Sequence, residues 1–294
     1  MTERSFVDAF GVEVFSRWWM VDQPIGLVIV SHGASEHCGR YDRFARALNA
    51  ADFAVVALDH RGHGHTASAT GRGIMGPGGG DAVVADLHEV RTAAESAIGT
   101  AVPVFLFGHS MGSLVALAYL AQHAEGLAGS VLCGFPADID GAAALAPLLA
   151  GMAGARDQPI ADLLGENNKA FEPARTRYDW LSRDADEVDR YVADPMCGED
   201  NPLTYGYLID LFDVVVPARA KLAAIGHPVF VIAGDRDPAA EMGAHATRLA
   251  EALRADCVAV DLKLYADARH ELLNETNREQ VTAEIVDWLV ALTR

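Results

Sequence analysis

Five short apolar runs recur along the chain, at 26–31 (GLVIVS), 53–58, 102–107, 130–133 and 229–233. A strand with one wet face alternates apolar and polar residues, so uninterrupted runs of this length read as strands buried on both faces. Helical patterns lie around them, at 41–51, 81–98, 110–123, 241–254 and 278–292, with apolar residues three and four apart. Asp81 is the expected N-cap of the second. Strand–helix alternation of this kind predicts an α/β fold, a mostly parallel central sheet with helices on both faces. Residues 5–20 alternate around Gly11 as a β-hairpin would, and 257–265 alternates enough to suggest an edge strand.

The alternation breaks once. Residues 136–215 hold no buried-strand run and are far longer than an ordinary connection. Leu145, Leu148, Leu149 and Met152 fall at i, i+3, i+4 and i+7, one apolar stripe of a helix. A second apolar cluster surrounds Tyr205, Tyr207, Leu208, Leu211 and Phe212. The expected organisation is a core in two parts, 1–135 and 216–294, with 136–215 as a helical cap, or lid, over one end of the sheet.

Composition narrows the partners. The 41 acidic residues against 23 basic give a net charge of −18, which repels phosphate backbones and argues against nucleic-acid binding. Cys38, Cys133, Cys197 and Cys257 are scattered with no CxxC pair, so free thiols in a reducing cytoplasm are expected rather than zinc or a disulfide framework. The opening MTERSFVDAF lacks the apolar stretch of a signal peptide. No apolar run approaches the roughly 18 residues of a membrane span.

Residues 108–112 read Gly-His-Ser-Met-Gly, the G-x-S-x-G pattern, between an expected strand and an expected helix. That context suits a sharp turn lifting Ser110 above the sheet edge as a nucleophile. A serine hydroxyl needs a base to take its proton and an acid to orient that base. Four histidines follow Ser110. His123 ends the helix that begins there, His227 precedes a strand at the wrong end of the sheet, and His245 sits in a helical pattern and reads as surface. His270 follows the strand at 257–265, at its carboxyl end, where sites of open α/β sheets lie. The acid is expected after 229–233, in Gly234-Asp235-Arg236-Asp237-Pro238, where both aspartates qualify on chemistry. Oxyanion donors are expected from the Met111 N–H and from the loop after 26–31, with Ala34 as the choice there.

These residues resemble the α/β-hydrolase superfamily, and within it the monoacylglycerol lipase and lysophospholipase group of serine aminopeptidase-like hydrolases. The resemblance is carried by HGASEHCGRY at 32–41, LDHRGHG at 58–64, GHSMG at 108–112, GDRDP at 234–238 and ARHELLNE at 268–275. It implies the α/β-hydrolase fold with a helical cap, and it implies Asp237, three after the glycine, as the acid. Asp194-Pro195-Met196 resembles a cap motif of the group. Ser113 departs from the pattern where a third glycine is common, as do Cys133-Gly134-Phe135-Pro136 and His65-Thr66.

Several features read as structural. Gly71 to Gly76 fits G-x-G-x-x-G but follows no strand, and reads as a flexible loop. His60, His63 and His65 lack a matching carboxylate set and read as a hydrogen-bonded turn. Glu36, Arg40 and Tyr41 read as a salt-bridged start to a helix. The cap stripe reads as packing on the core, with a membrane-dipping face as the alternative.

The expected activity is carboxylic ester hydrolysis on a small molecule with an apolar portion, such as a lipid monoester. Ser110, Asp237 and His270 act as the triad, and Ala34 and Met111 hold the oxyanion. Leu145, Leu148, Leu149, Met152, Tyr205 and Phe212 contact the substrate, and no metal or organic cofactor takes part. The alternatives are a proline iminopeptidase-like peptidase, with Glu166, Asp179, Glu187 or Asp189 holding a free amine, and a non-catalytic small-ligand receptor.

Overall fold

The computed structural model describes residues 1–161 and 165–294. Among these residues, eight strands form one sheet: β1 (Thr2–Val7), β2 (Glu13–Trp19), β3 (Gly26–Ser31), β4 (Phe53–Leu58), β5 (Val104–His109), β6 (Leu127–Cys133), β7 (Val229–Gly234) and β8 (Val260–Tyr265). Their spatial order is β1-β2-β4-β3-β5-β6-β7-β8. β1 and β2 form an antiparallel hairpin, β2 pairs antiparallel with β4, and the remaining five pairings are parallel. β8 is the far edge, and only Tyr265 of its six residues is fully buried.

Helices cover both faces: α1 (Asp42–Ala50), α2 (Ala67–Thr70), α3 (Gly79–Ile98), α4 (Met111–His123), α5 (Ala142–Gly151), α6 (Ala185–Ala193), α7 (Tyr205–Ala218), α8 (Ala244–Ala255) and α9 (Arg278–Ala291). Successive residues of β3 point to opposite faces. Leu27 and Ile29 join α3, α4, α7 and α8 in one core. Val28 and Val30 join α1 and α9 in the other. That double burial is why the central runs carry no polar alternation, and each such side chain contributes about 1.5–3 kcal/mol when fully buried.

Three local expectations change. The N-cap of α3 is Gly78, with Asp81 inside the first turn, where its charge still meets the positive end of the helix. α8 begins at Ala244, because Glu241 and Met242 adopt positive φ and cannot extend a helix. The Gly-rich loop is anchored: Arg61 donates to the carbonyls of Met75 and Pro77, and Gly73 N–H bonds Gly62 O. Arg61 also ion-pairs with Asp86 at 2.7 Å and with Asp8, all three side chains being buried.

Between β6 and β7 the described residues form α5, α6, α7, several 3-10 turns and one isolated bridge, Pro159–Thr204. α5 packs against α7. A separate small core, including Tyr178, Trp180, Leu181, Val188 and Tyr191, forms around α6.

Candidate active site

The turn from β5 into α4 places Ser110 at φ 51°, ψ −123°. A non-glycine residue reaches this region only when its surroundings hold it. Here the Ser110 N–H donates to Cys133 O at 2.9 Å, and its carbonyl accepts from the Ser113 N–H and from Ser113 Oγ at 2.6 Å. Serine at 113 therefore braces the elbow. The flanking glycines permit close approach. A Cβ at Gly108 would lie 2.5 Å from Gly112 O and 2.8 Å from Ala116 Cβ, and one at Gly112 would collide with the Ser31 carbonyl.

His270 and Asp237 meet at 2.7 Å, Nδ1 to Oδ2, and both are buried. The other Asp237 oxygen accepts the N–H groups of Ala239 and Ala240. The carboxylate is thus fixed on both oxygens, and it fixes the imidazole tautomer with the proton on Nδ1. Asp235 makes no such contact with His270; its Oδ1 is buried without a partner among the described residues. Trp180 lies against the His270 ring, with centroids 4.8 Å apart, and His109 packs on it at the same distance.

Ser110 opens onto a cavity of about 380 Å³ shared with Ala34 and Met111. Among the described residues, neither the Ala34 nor the Met111 N–H donates a hydrogen bond, which leaves both for a ligand oxygen. Leu148, Leu149 and Phe212 line the cavity, together with Leu114, Leu203, Leu208, Leu211 and Trp180. Met152 and Tyr205 do not line it. Met152 lies just past the end of α5 and is exposed, and Tyr205 is the first residue of α7, where its N–H bonds Gln158 O. The side chain of Leu145 lies outside the described residues. Leu208, Leu211 and Phe212 form an i, i+3, i+4 face of α7, a pattern visible in the sequence. Trp180 sits in a stretch with no periodicity and gave no such signal.

Beside His109 and Glu271 lies a buried ionic cluster. Arg40 bridges Glu36 at 2.7 Å and Glu271 at 2.5 Å. Glu36 also accepts from Gly33 N–H at 2.6 Å, Tyr41 Oη at 2.9 Å and His109. Burial opposes ionisation of Glu36, but Arg40 and His109 outweigh it and hold its carboxyl well below the usual range. Burial likewise disfavours the His109 cation, yet Glu36 raises its pKa.

Other histidines are held by hydrogen bonds or kept neutral by burial. His32 Nδ1–H donates to Gly33 O while Nε2 accepts from His60 N–H, and His60 Nε2 meets Ser31 Oγ at 2.8 Å. Burial lowers the pKa of His63 to about 3 and that of His227 to about 4. His245 is half-buried rather than a free surface residue. The potential ligand atoms of His37, Asp194 and Cys197 lie within 4.8 Å of one another. His37 Nδ1 accepts from Gly39 N–H, so its proton sits on Nε2 and faces Asp194 Oδ2 at 3.0 Å, a hydrogen-bonded clasp rather than a cage for a cation.

The sheet, the strained serine elbow and the Asp–His pair at the strand ends define an enzyme of the α/β-hydrolase class. The comparisons narrow this: the family described as serine aminopeptidase, S33, matches residues 22–277, and the chain belongs to it. Monoglyceride lipase of Mus musculus is 30% identical, over 96% of this chain and 88% of its own length. Monoacylglycerol lipase of Mycolicibacterium smegmatis is 29% identical, over 99% of this chain and 97% of its own. A thermostable carboxyl esterase from Bacillus coagulans, solved in complex with glycerol, superposes with a TM-score of 0.91 at 30% identity, covering 100% of this chain and 99% of that one.

Proposed function

We propose that this ester hydrolase cleaves lipid monoesters of the monoacylglycerol kind through a Ser110–His270–Asp237 triad and an acyl-enzyme. The observation that carries the reading is the apolar cavity opening directly on Ser110. An acyl chain fits leucine-lined walls, and about 380 Å³ lies within the range of small-molecule sites. The names of the relatives, monoglyceride lipases and a carboxyl esterase, support the same substrate class.

Ser110 Oγ attacks the ester carbonyl while His270 takes its proton. The Ala34 and Met111 amides receive the developing oxyanion. His270 then protonates the leaving alcohol, and Asp237 stabilises the imidazolium. Water enters with His270 again as base and releases the acid. These steps use side chains, backbone amides and water only.

In this reading residues 136–215 form the cap that shapes the acyl pocket. Leu148 and Met152 are exposed on its outer rim, which supports transient contact with a lipid surface. The free thiols support a reducing compartment. Among the described residues, no helix is long and apolar enough to cross a membrane.

A peptidase would need a carboxylate facing a substrate amine. Glu166 pairs with Lys169, Glu187 with Arg43 and Arg190, and Asp189 with Arg175, while Asp179 accepts from Thr176 and Arg175. No carboxylate lines the cavity among the described residues. The test is a competition between p-nitrophenyl acyl esters and aminoacyl p-nitroanilides. Ester turnover that rises with chain length supports the reading, and preferred anilide turnover overturns it.

A further inference from the structure

The oxyanion loop is held from two sides. On the core side, Gly33 N–H is tied to Glu36 and Cys38 N–H to Asp59. On the other side, the segment between β6 and β7 grips Ser35. The Ser35 carbonyl accepts from the Tyr191 hydroxyl and from the Gly198 N–H, each at 3.0 Å, and Ser35 Oγ donates to the Asn201 carbonyl at 2.7 Å. Ser35 has φ 53°, the left-handed region that non-glycine residues avoid. It immediately follows Ala34. Released from its three bonds, Ser35 would relax toward negative φ and turn the Ala34 residue before it, whose N–H must meet the oxyanion closely to be useful. Tyr191 is itself rigid: it is buried, with Arg40 over its ring at 4.8 Å and the Tyr178 ring at 5.0 Å.

We propose that Tyr191, with Ser35 and the backbone of Gly198 and Asn201, positions the oxyanion hole, so that this part of the cap completes the catalytic machinery instead of opening over it. The inference rests on the esterase reading. It treats these groups as positioning residues, with no contact to substrate.

The test compares wild type with Tyr191→Phe, which removes one hydroxyl and keeps the ring, with Ser35→Ala, and with the double variant. Steady-state ester hydrolysis is measured beside two inhibitors. An alkyl trifluoromethyl ketone adds Ser110 Oγ to its carbonyl carbon, passes the serine proton to His270 and leaves charge on the carbonyl oxygen. The alcohol of the same chain length only fills the cavity. The double variant should lose about tenfold or more in kcat with KM nearly unchanged. Trifluoromethyl ketone affinity should fall in the same proportion, and alcohol affinity should hold. Parallel loss of both affinities, or variants that match wild type, would overturn the inference alone. Wild type that neither hydrolyses esters nor forms the ketone adduct would overturn the esterase reading and this inference with it. Thermal melting establishes folding, and Tyr191→Phe carries the test by itself if the double variant melts early.

Discussion

The two ends of the segment between β6 and β7 are built on different principles. α5 packs on α7, and its Leu148 is 66% exposed while also lining the cavity. The stretch from Asp179 to Leu203 has a small core of its own and is stitched to the loops around Ser35 and Glu271. Glu271 N–H bonds Leu181 O at 2.8 Å, Ser182 Oγ bonds Asn274 O at 2.8 Å, Arg183 pairs with the buried Glu275, and Tyr191 reaches Ser35. A region with few buried ties opens at low cost, whereas one that shares polar contacts with the site cannot move without disturbing it. The two ends thus differ in how they are held: α5 lies on α7 with Leu148 exposed, whereas the Asp179–Leu203 stretch is hydrogen-bonded to the loops around Ser35 and Glu271.

The largest expected effect lies in the core that both ends serve. Asp237→Asn should lower kcat by ~10⁴-fold at every acyl chain length, because it leaves the imidazole with the wrong tautomer. A loss confined to long chains would mean that Asp237 shapes the pocket instead. Next comes Arg40→Met, which strips the cation shared by two buried carboxylates and should cost about 3–5 kcal/mol in urea unfolding. Its counterpart near α5 is Arg156→Met. The Arg156–Asp210 pair is partly exposed, so the cost there should stay below about 1 kcal/mol. Equal costs would erase the distinction between the buried cluster and the exposed α5 end.

Buried histidines contribute to the pH dependence of stability. His227, beneath the sheet and bonded to Ser130 Oγ, has its pKa lowered to about 4 by burial and by Arg91. The unfolded chain binds that proton below about pH 6.5, whereas the folded chain does so only near 4. Its contribution is therefore whole above 6.5 and is lost as pH falls toward 4; that of His63 is lost over a range reaching about 3. His227→Gln should flatten the melting-temperature slope in this window by about one proton without changing the pH profile of kcat. An unchanged slope would contradict a buried neutral imidazole. The smallest effect belongs to α5. Leu148→Ala should change stability by about 0.5 kcal/mol or less while lowering kcat/KM for long-chain esters several-fold and sparing short ones.

The sequence made the core readable because burial on both faces leaves short apolar runs with helical patterns between them, which length and spacing separate from longer buried helices such as α4. The elbow was readable because G-x-S-x-G sat between such a run and a helical pattern. Asp235 and Asp237 were not separable on chemistry alone; the family resemblance favoured Asp237, the one bonded to His270 here. The ties from the Asp179–Leu203 stretch to the loops around Ser35 and Glu271 were invisible for a different reason. Most run to or from backbone groups, such as Ser35 O, Leu181 O and Asn274 O, and a carbonyl carries no residue identity. Met152 and Tyr205 show the limit of periodicity: a stripe marks one face of a helix, but not where the helix ends or which turn reaches the cavity.

The decisive experiment is hydrolysis of a chain-length series of p-nitrophenyl esters, with monoacylglycerols alongside, by wild type and Ser110→Ala. Turnover should favour chains long enough to fill the cavity and fall at least ~10³-fold in the variant. Folded wild type that cleaves no ester, or a Ser110→Ala variant that keeps its activity, would contradict it.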